Sequence, residues 1–499
     1  MPPPITAIML YDLVQCPHRV TMDLIADPAD RDEVSPFVQL LWERGHLYER
    51  EVIEGLRLPF SDLSAYAGDE KERLTLEAMR RGEPLIYGGR IRAADLLGNP
   101  DLLRRDGDRY VAGDIKSGAG EEGGGDDDDD DEGKPKKHYA VQLGLYTDIL
   151  EQLGLSAGRR AFVWDIHGDE VPYDFTVQYG VRNPRTLWED YQQALGAARS
   201  IVARQQQTRP AHASICKQCV WYTACLKRLE ADDDLSLIPD LGRSKRDVMI
   251  VHVASVKALA ASDPAKFLIT KKKTVFARIG PDSLAKFHTR ARLLSEAGAK
   301  PFLKAPIVLP ASERELFFDI EVDPLRGVCY LHGFVERRAG DNATESFFSF
   351  FAEEPTPAAE ESAFRQAWAF IQAAQPCVIY YYSKYERTIY RVLQRKYPEV
   401  CSADDIEALF DPAKAIDLYY DVVLKATEWP TRDYSIKTLA KHLGFAWRDT
   451  HPSGAASIQW FDEWVKARDP KTRARILEYN EDDCRATRVL LDGIRELAA

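Results

Sequence analysis

Three cysteines close together and one far upstream are well suited to hold a metal. Cys216, Cys219 and Cys225 lie within one short segment, whereas Cys16 lies near the start of the chain. Four thiolates bind either zinc or an iron–sulfur cluster, because both prefer sulfur ligands. Such a metal would join the two ends of one domain and stabilise its folding. The residues alone leave both metals open.

A second group of residues could hold a divalent cation. Asp114 and Lys116 are two positions apart in a predicted strand, RYVAGDIK, so both side chains leave the same face. With Asp101, 13 positions earlier, and the carbonyl of Ile115, they offer the oxygen ligands that Mg²⁺ or Mn²⁺ takes. The cation would polarise a phosphate and acidify a water, which Lys116 would position. The alternative for this motif alone is a hairpin with ordinary surface charges.

Two predicted helices accompany this motif. The upstream helix carries His46 and Glu49 in GHLYE, and the downstream helix carries Gln142 and Tyr146, four positions apart and thus on one face. The order of these motifs and the cysteines over residues 10–230 resembles the RecB-like branch of the PD-(D/E)xK nucleases, in particular the CRISPR-associated iron–sulfur exonucleases.

This resemblance implies a restriction-endonuclease-like α/β fold with a 4Fe-4S cluster on the four cysteines, with zinc as the alternative. It implies metal ligands and catalytic residues at Glu49, Asp101, Asp114, Lys116, Gln142 and Tyr146. Lys116 would be catalytic, and Gln142 and Tyr146 would lie near the DNA or the attacking water. The family's first-motif histidine corresponds to Glu49, so His46 is the second choice.

Acidic residues recur in the C-terminal part. Asp319 and Glu321 follow the apolar segment LFF on a predicted buried strand, and buried acids need a partner or a metal. Tyr479 and Asp483 share one face of a predicted helix, and Glu386 lies just past a strand. Carboxylates converging on two cations would support phosphodiester hydrolysis, with the tyrosine orienting the water.

This order resembles the DEDD 3′–5′ exonucleases of the RNase H-like superfamily, in the subgroup with tyrosine in the third motif. The resemblance implies divalent metal ligands at Asp319, Glu321, Glu386 and Asp483 and a catalytic Tyr479. Glu386 departs from the aspartate of most relatives, and Asp417 is an alternative ligand. Asp482 is expected to be a solvated helix residue.

These motifs require three segments. The sequence predicts a nuclease domain over residues 1–235, a helical connector over 236–310 and an RNase H-like α/β domain over 311–499. The combination resembles a group of two-domain RecB-like nucleases. Lys271, Lys272, Lys273, Arg290 and Arg292 of the connector would touch nucleic acid or form a solvated helix face.

Residues 118–137 contain the run Asp126–Asp131, and like charges this dense cannot pack. We expect a disordered surface loop there; a regulatory segment that mimics nucleic acid is the alternative. The formal net charge of −13 argues only weakly against a nucleic-acid partner, because it does not describe one groove.

The remaining composition is that of a cytoplasmic protein of several domains, with no membrane segment or secretory signal expected. The other four cysteines are expected to be buried apolar residues: Cys329, Cys377, Cys401 and Cys484. The sequence predicts a divalent-metal-dependent nuclease acting on DNA, favouring single-stranded ends. The alternatives are a 3′–5′ exonuclease working through the C-terminal domain and a nucleic-acid-binding adaptor with lapsed catalysis. Any unwinding would need a separate helicase, because no G-x4-GK-S/T phosphate loop is present.

Overall fold

The computed structural model describes residues 2–122, 133–180, 183–310 and 312–498. They divide into two compact units. The first comprises Met1–Val34, Val38–Pro210 and Ser214–Cys225, and the second comprises Ser35–Phe37, Ala211–Ala213 and Leu226–Ala499. The Asp126–Asp131 run predicted to be disordered lies outside the described residues.

A six-stranded mixed sheet and a smaller three-stranded sheet form the frame of the first unit. The strands are β1 (Ile5–Thr6), β2 (Ser61–Asp62), β3 (Leu85–Tyr87), β4 (Ile91–Ala93), β5 (Leu96–Gly98), β6 (Leu102–Asp106), β7 (Arg109–Ile115), β8 (Glu121–Glu122), β9 (Lys134–Pro135), β10 (Ser156–Trp164), β11 (Glu170–Asp174), β12 (Gln178–Tyr179) and β13 (Arg185–Thr186). The helices are α1 (Ala7–Gln15), α2 (Pro17–Ile25), α3 (Pro36–Glu54), α4 (Gly68–Arg81), α5 (Lys137–Gln152) and α6 (Leu187–Val202). Helix α7 (Tyr222–Ala231) begins in this unit and ends in the second. The order of the large sheet is β11-β10-β7-β6-β3-β2.

Strand β7 occupies the centre of this sheet, parallel to β10 and antiparallel to β6. Every residue of β7 after Arg109 is buried, which is the pattern of a strand covered on both faces. Gly113 allows this packing, because a Cβ atom there would lie 2.3 Å from Cζ of Phe162 on β10. The close approach holds the end of β7, and with it Asp114, at one fixed place.

Part of the predicted disordered loop is ordered. Strand β8 pairs antiparallel with β9, so that Glu121 lies opposite Pro135. Helix α5 begins at Lys137, inside the stretch expected to be a loop. For these flanking residues the prediction of disorder is wrong, because the Lys- and Pro-containing segment forms a short ladder and a helix start.

The second unit is built on the sheet β19-β18-β17-β20-β21. Its strands are β14 (Leu268–Thr270), β15 (Lys273–Thr274), β16 (Phe302–Leu303), β17 (Arg314–Asp323), β18 (Val328–Arg338), β19 (Asp341–Phe351), β20 (Val378–Tyr381), β21 (Ala415–Asp417) and β22 (Thr427–Glu428). Its helices are α8 (Gly242–Met249), α9 (Val256–Ala261), α10 (Pro281–Ser295), α11 (Pro357–Ala374), α12 (Tyr385–Lys396), α13 (Ala403–Leu409), α14 (Leu424–Ala426), α15 (Ile436–His442), α16 (Gly454–Ala467) and α17 (Pro470–Ala498).

Strands β17, β18 and β19 are antiparallel, whereas β20 and β21 continue the sheet in parallel from β17. The segments LFFDI and YLHGFV are almost wholly buried, because helices cover both faces. The long helix α17 packs on β17 and β18, and α11 packs on β18. This arrangement brings the third acidic motif over the strand that carries the first.

Residues 226–294 contribute to a separate hydrophobic core, and this segment contains one turn twice. Asp240 and Arg278 both have a positive φ, of 62° and 65°. Each precedes a buried aliphatic residue and a glycine, and each glycine is followed by a helix, α8 or α10. The same turn therefore leads into both α8 and α10.

The connector is fixed to the rest of the second unit. Strand β16 pairs with β22, and Arg290 Nε donates to Glu428 Oε2 at 2.8 Å. Arg290 is only 1% exposed and also donates to Asp240. The suggestion that Arg290 touches nucleic acid is therefore wrong, because its guanidinium is buried and paired within the unit.

Candidate active sites and metal ligands

The first candidate site lies where β6 begins and β7 ends. Asp101 Oδ2 accepts a hydrogen bond from the Ile115 amide at 2.9 Å, and Asp114 Oδ1 accepts one from the Asp101 amide at 3.4 Å. These reciprocal bonds tie the two strand ends together. They place the two predicted acids at the neighbouring ends of β6 and β7.

Lys116 connects these acids to helix α5. Its ammonium lies 2.9 Å from Asp114 Oδ2 and donates to Gln142 Oε1 at 3.4 Å. Gln142 Nε2 donates to the Tyr146 hydroxyl at 3.2 Å, and that hydroxyl donates to the Asn99 carbonyl. The structure therefore joins the strand motif and the helix motif in one polar chain.

Burial and neighbouring charges shift the pKa values of the hydrogen-bonded residues at this site. Burial, followed by the charge of Asp114, holds the pKa of Asp101 well above its usual range. Burial alone would lower the pKa of Lys116, but the carboxylates of Asp114 and Asp101 raise it overall. Burial also raises the pKa of Tyr146. The carboxylates of Asp114 and Asp101 thus favour the charged form of the lysine.

Glu49 and His46 line an open cleft of about 700 Å³ on the other side of Asp101. Glu49 Oε1 accepts a hydrogen bond from the Tyr87 hydroxyl at 2.9 Å, and its other oxygen lies 3.9 Å from His46 Nδ1. The His46 side chain is 78% exposed and that of Glu49 only 25%. Glu49 is the better-held ligand candidate.

The carboxylate oxygens of Glu49, Asp101 and Asp114 do not form a set lying within 4.8 Å of one another; among the described residues that spacing is met in the second unit alone. The donor set is nevertheless of the right chemistry, since hard divalent cations take carboxylate and carbonyl oxygens. The structure brings two predicted ligands together and leaves Glu49 across the cleft.

The four cysteines predicted to bind a metal lie in the first unit, as expected from their sequence pattern. Cys16 sits at the junction of α1 and α2, Cys216 lies in the 3-10 turn Ser214–Gln218, and Cys225 is in α7. All four are half-buried. Burial raises the pKa of the Cys219 thiol, and the thiols of Cys16 and Cys216 are near enough to raise it further.

Hydrogen bonds also join the segment that contains Cys216, Cys219 and Cys225 to the N-terminal part of the chain. Trp221 Nε1 donates to Asp23 Oδ1 at 2.8 Å, and the Asp32 amide donates to the Val220 carbonyl at 2.7 Å. The cysteine sulfurs are not among the described ligand groups lying within 4.8 Å of one another. The other four cysteines are buried, as predicted.

In the second unit, three acids do converge. Asp319 and Glu321 project from the same face of β17, and Asp483 reaches them from α17. Ligand oxygens of these three residues lie within 4.8 Å of one another, close enough to hold one metal ion. The first and third predicted acidic motifs therefore form one site.

Asn480 holds Asp319 in place, although the sequence reading gave it no role. Its Nδ2 donates to Asp319 Oδ2 at 2.7 Å. The space comes from Gly333, opposite Asp319 on β18, where a Cβ would lie 1.6 Å from Asn480 Oδ1. Position 480 shares a helix face with Asp483, and that spacing is the signal that could have indicated it.

Lys437 was also missed. Its ammonium, on α15, donates to the Tyr479 hydroxyl at 2.8 Å and to Asp483 Oδ2 at 3.2 Å. Trp447 Nε1 donates to Asp483 Oδ1 at 2.6 Å. A single charged residue in the otherwise uncharged segment YSIKTLA was the available signal.

Glu386 stands apart from the three converging acids. It is buried at the start of α12, and its Oε2 atom has no hydrogen-bond partner among the described residues. Its charge acts on Asp319, but it does not belong to the group within 4.8 Å. Asp417, the alternative ligand, uses its Oδ1 atom to cap the segment after β21, accepting from the amides of Ser383, Tyr419 and Tyr420.

The expectation for Asp482 is wrong. The residue is 3% exposed, and its carboxylate accepts hydrogen bonds from the amide and Nε of Arg448 at 2.8 and 2.9 Å. The helical spacing places Asp482 on α17. It could not reveal that Arg448, from another segment, covers the Asp482 carboxylate.

Burial and mutual repulsion raise the pKa values of this site. Burial and then the Asp483 carboxylate hold the pKa of Asp319 well above its usual range and raise that of Glu321 to about 8. Burial also raises the pKa of Tyr479. Buried acids that repel one another are the arrangement a cation would relieve.

Two mixed α/β units with acids on or beside their central strands, together with the matches to family models, define the class of protein: a metal-dependent nuclease, which is a hydrolase. Residues 13–226 match the family model described as the PD-(D/E)XK nuclease superfamily, and residues 316–494 match that of the RNase_H superfamily. The chain thus combines a restriction-endonuclease-like domain with an RNase H-like domain. No curated protein matches it.

None of the described helices has the length and apolar character needed to cross a membrane.

Proposed function

We propose that the protein hydrolyses phosphodiester bonds of DNA, favouring single-stranded ends, through the site in its first unit. The observation that carries this proposal is the polar chain from Asp114 through Lys116 and Gln142 to Tyr146. It joins an acidic pair to a half-buried cation beside an open cleft.

Asp101, Asp114 and the Ile115 carbonyl would hold Mg²⁺ or Mn²⁺, with Glu49 as a further ligand from across the cleft. When bound, the cation supplies Lewis acidity and a water of lowered pKa. Lys116 orients that water and stabilises charge on the phosphate oxygens. Gln142 and Tyr146 keep the ammonium in position, because both are fixed on one face of α5.

The cysteine set is proposed to hold a 4Fe-4S cluster, with zinc as the alternative. The support is the placement of Cys16, Cys216 and Cys219 in one half-buried region and the soft chemistry of four thiolates. The cluster would stabilise the junction between the N-terminal helices and the segment at 214–225. A separate helicase would supply unwinding.

The second candidate activity is 3′–5′ exonucleolysis of DNA or RNA through the C-terminal domain. The convergence of Asp319, Glu321 and Asp483 favours it directly. Glu386 is proposed as the fourth ligand from its buried position, and Tyr479 as the residue that orients the water. Lys437 fixes the Tyr479 hydroxyl.

The test uses the full chain, purified without oxygen, with end-labelled single-stranded DNA and Mn²⁺. We expect Lys116→Ala to abolish cleavage and Asp483→Ala to leave it largely intact. Loss only with Asp483→Ala would transfer the function to the C-terminal domain and overturn the main proposal. If wild type binds but cuts neither DNA nor RNA, the chain is an adaptor.

A further inference from the structure

Strands β14 and β15 form a strongly basic ribbon in an otherwise acidic protein. We call residues 266–278 the basic hairpin. Between Asp263 and Asp282 there is no acidic residue, whereas the ribbon and its flanks carry five cations: Lys266, Lys271, Lys272, Lys273 and Arg278. The whole chain has a formal net charge of −13, so this stretch reverses the local sign.

All five cations are exposed. None of them forms an ion pair with another residue in the described part of the chain. Most other arginines of the second unit are engaged, as in the pairs of Arg290 with Glu428 and Arg337 with Glu315. The positive charge of the basic hairpin is therefore available to bind a ligand.

Apolar side chains lie among these cations. Leu268, Ile269 and Val275 are 41%, 56% and 38% exposed. Aliphatic groups beside a row of cations suit a ligand that has both charge and apolar surface. Nucleic acid is such a ligand, because its phosphates alternate with sugars and base faces.

The base of the ribbon is anchored. Thr274 is buried, and its hydroxyl donates to the Ile279 carbonyl at 2.6 Å. The rings of Phe267 and Phe276 lie 5.1 Å apart. The lysines at the tip therefore extend from a fixed support.

We propose that the basic hairpin is a docking surface for a nucleic-acid strand, with the lysines on its phosphates and Ile269 against its sugars or bases. This rests on the proposed nuclease function, for which the hairpin supplies grip outside the catalytic residues. The evidence for the occupant is charge complementarity to a polyanion together with the adjacent apolar groups.

The test measures binding of fluorescently labelled single-stranded DNA to the full chain in EDTA, between about 50 and 200 mM salt. We expect the triple variant Lys271→Ala, Lys272→Ala and Lys273→Ala to bind about tenfold more weakly at the low end. The slope of log K against log salt should fall by roughly 2, at about 0.7 per phosphate contact.

A matched triple variant controls for net charge. Lys257, Lys300 and Lys471 are exposed lysines elsewhere in the second unit, and their replacement by alanine removes the same charge. It should change affinity and slope much less. Equal effects of the two triples would overturn the proposal, because the attraction would then be non-specific.

Ile269→Ser provides an independent readout. Weaker binding with an unchanged salt slope is expected, since no phosphate contact is lost. Unaltered DNA affinity in both Ile269→Ser and the lysine triple would overturn the proposal. The proposal would also be overturned if these variants lost binding to an acidic polypeptide such as polyglutamate but not to DNA. Because EDTA prevents cleavage, a protein that binds through the hairpin but never cuts contradicts only the proposed function.

Discussion

At the second acidic site, the Lys437 ammonium takes up part of the negative charge of Asp483 and fixes the Tyr479 hydroxyl. It therefore competes with a cation for Asp483 while holding the tyrosine that would orient water. We expect Lys437→Met to bind Mn²⁺ more tightly but to cleave roughly 10- to 100-fold more slowly at this site. Calorimetric titration with Mn²⁺ and exonuclease rates would measure the two effects.

Lys441→Met is the control, because Lys441 is an exposed lysine on the same helix, one turn further on. It should leave both quantities close to those of wild type. A fall in Mn²⁺ affinity with Lys437→Met would contradict the competition and leave Lys437 as a packing residue.

His332, a buried residue of β18, predicts a pH dependence of stability. Burial lowers its pKa to about 3, whereas the unfolded chain titrates near 6.5. The unfolded state therefore binds more protons between these values, so this contribution is complete above about 6.5 and is lost as the pH falls toward 3. The free energy of unfolding should fall by up to about 1.4 kcal/mol per pH unit from this residue.

Hydrogen exchange of the β18 amides at several pH values measures this slope in wild type and His332→Gln. Other acids titrate in both proteins, so the difference between the slopes reports His332. His451→Gln, at an exposed histidine, should keep the wild-type slope. Equal slopes in wild type and His332→Gln would show that His332 does not contribute.

At the scale of the elements, β18 and α17 approach so closely that only glycine fits at position 333. In Gly333→Ala the new methyl would displace Asn480, and Asp319 would lose its 2.7 Å hydrogen bond. We expect the second unit to lose about 1–3 kcal/mol of stability from overpacking. Its Mn²⁺ affinity should fall as well. Thermal unfolding and titration measure the two.

Gly454→Ala is the matched glycine variant, because a Cβ there meets no atom of the described residues within 4 Å. It should leave stability and metal affinity almost unchanged. If Gly333→Ala matched it, Asn480 would not be needed to hold Asp319.

Residue pairs within one element were predictable from the sequence. Asp114 with Lys116 follows from strand alternation, and Gln142 with Tyr146 follows from the helical period. Partners from different elements were not predictable in this way. Lys437 reaches Asp483 from a separate helix, a contact that no local spacing encodes.

Across the whole molecule, the proposed cluster would secure the first unit at both ends. Cys216→Ser should give protein without visible absorbance whose first unit melts at a lower temperature, because metal binding contributes directly to folding. Absorption spectra and thermal unfolding under anaerobic conditions test this. An unchanged melting temperature would refute the stabilising role.

Cys401→Ser is the comparison, since Cys401 is buried in the core of the other unit. It should cost some stability there and keep the colour. Loss of colour in both variants would point to general misfolding rather than to a cluster on Cys16, Cys216, Cys219 and Cys225.

The domain-scale organisation was predictable because each motif carries its own spacing. The fixed attachment of the connector was not, since the pairing of Phe302 with Glu428 and the bond from Arg290 join residues more than a hundred positions apart. The sequence around Glu428 does not indicate which buried residues pair with its carboxylate.

That attachment has a consequence for the products. A strand gripped by the basic hairpin would be held at a set distance from Asp319, Glu321 and Asp483, because both belong to one compact unit. The distance between the basic hairpin and these acids would then set the length of the fragment that remains. Digestion at these acids would end in residual fragments of nearly uniform length. Weaker binding by the basic hairpin would broaden the distribution of fragment lengths.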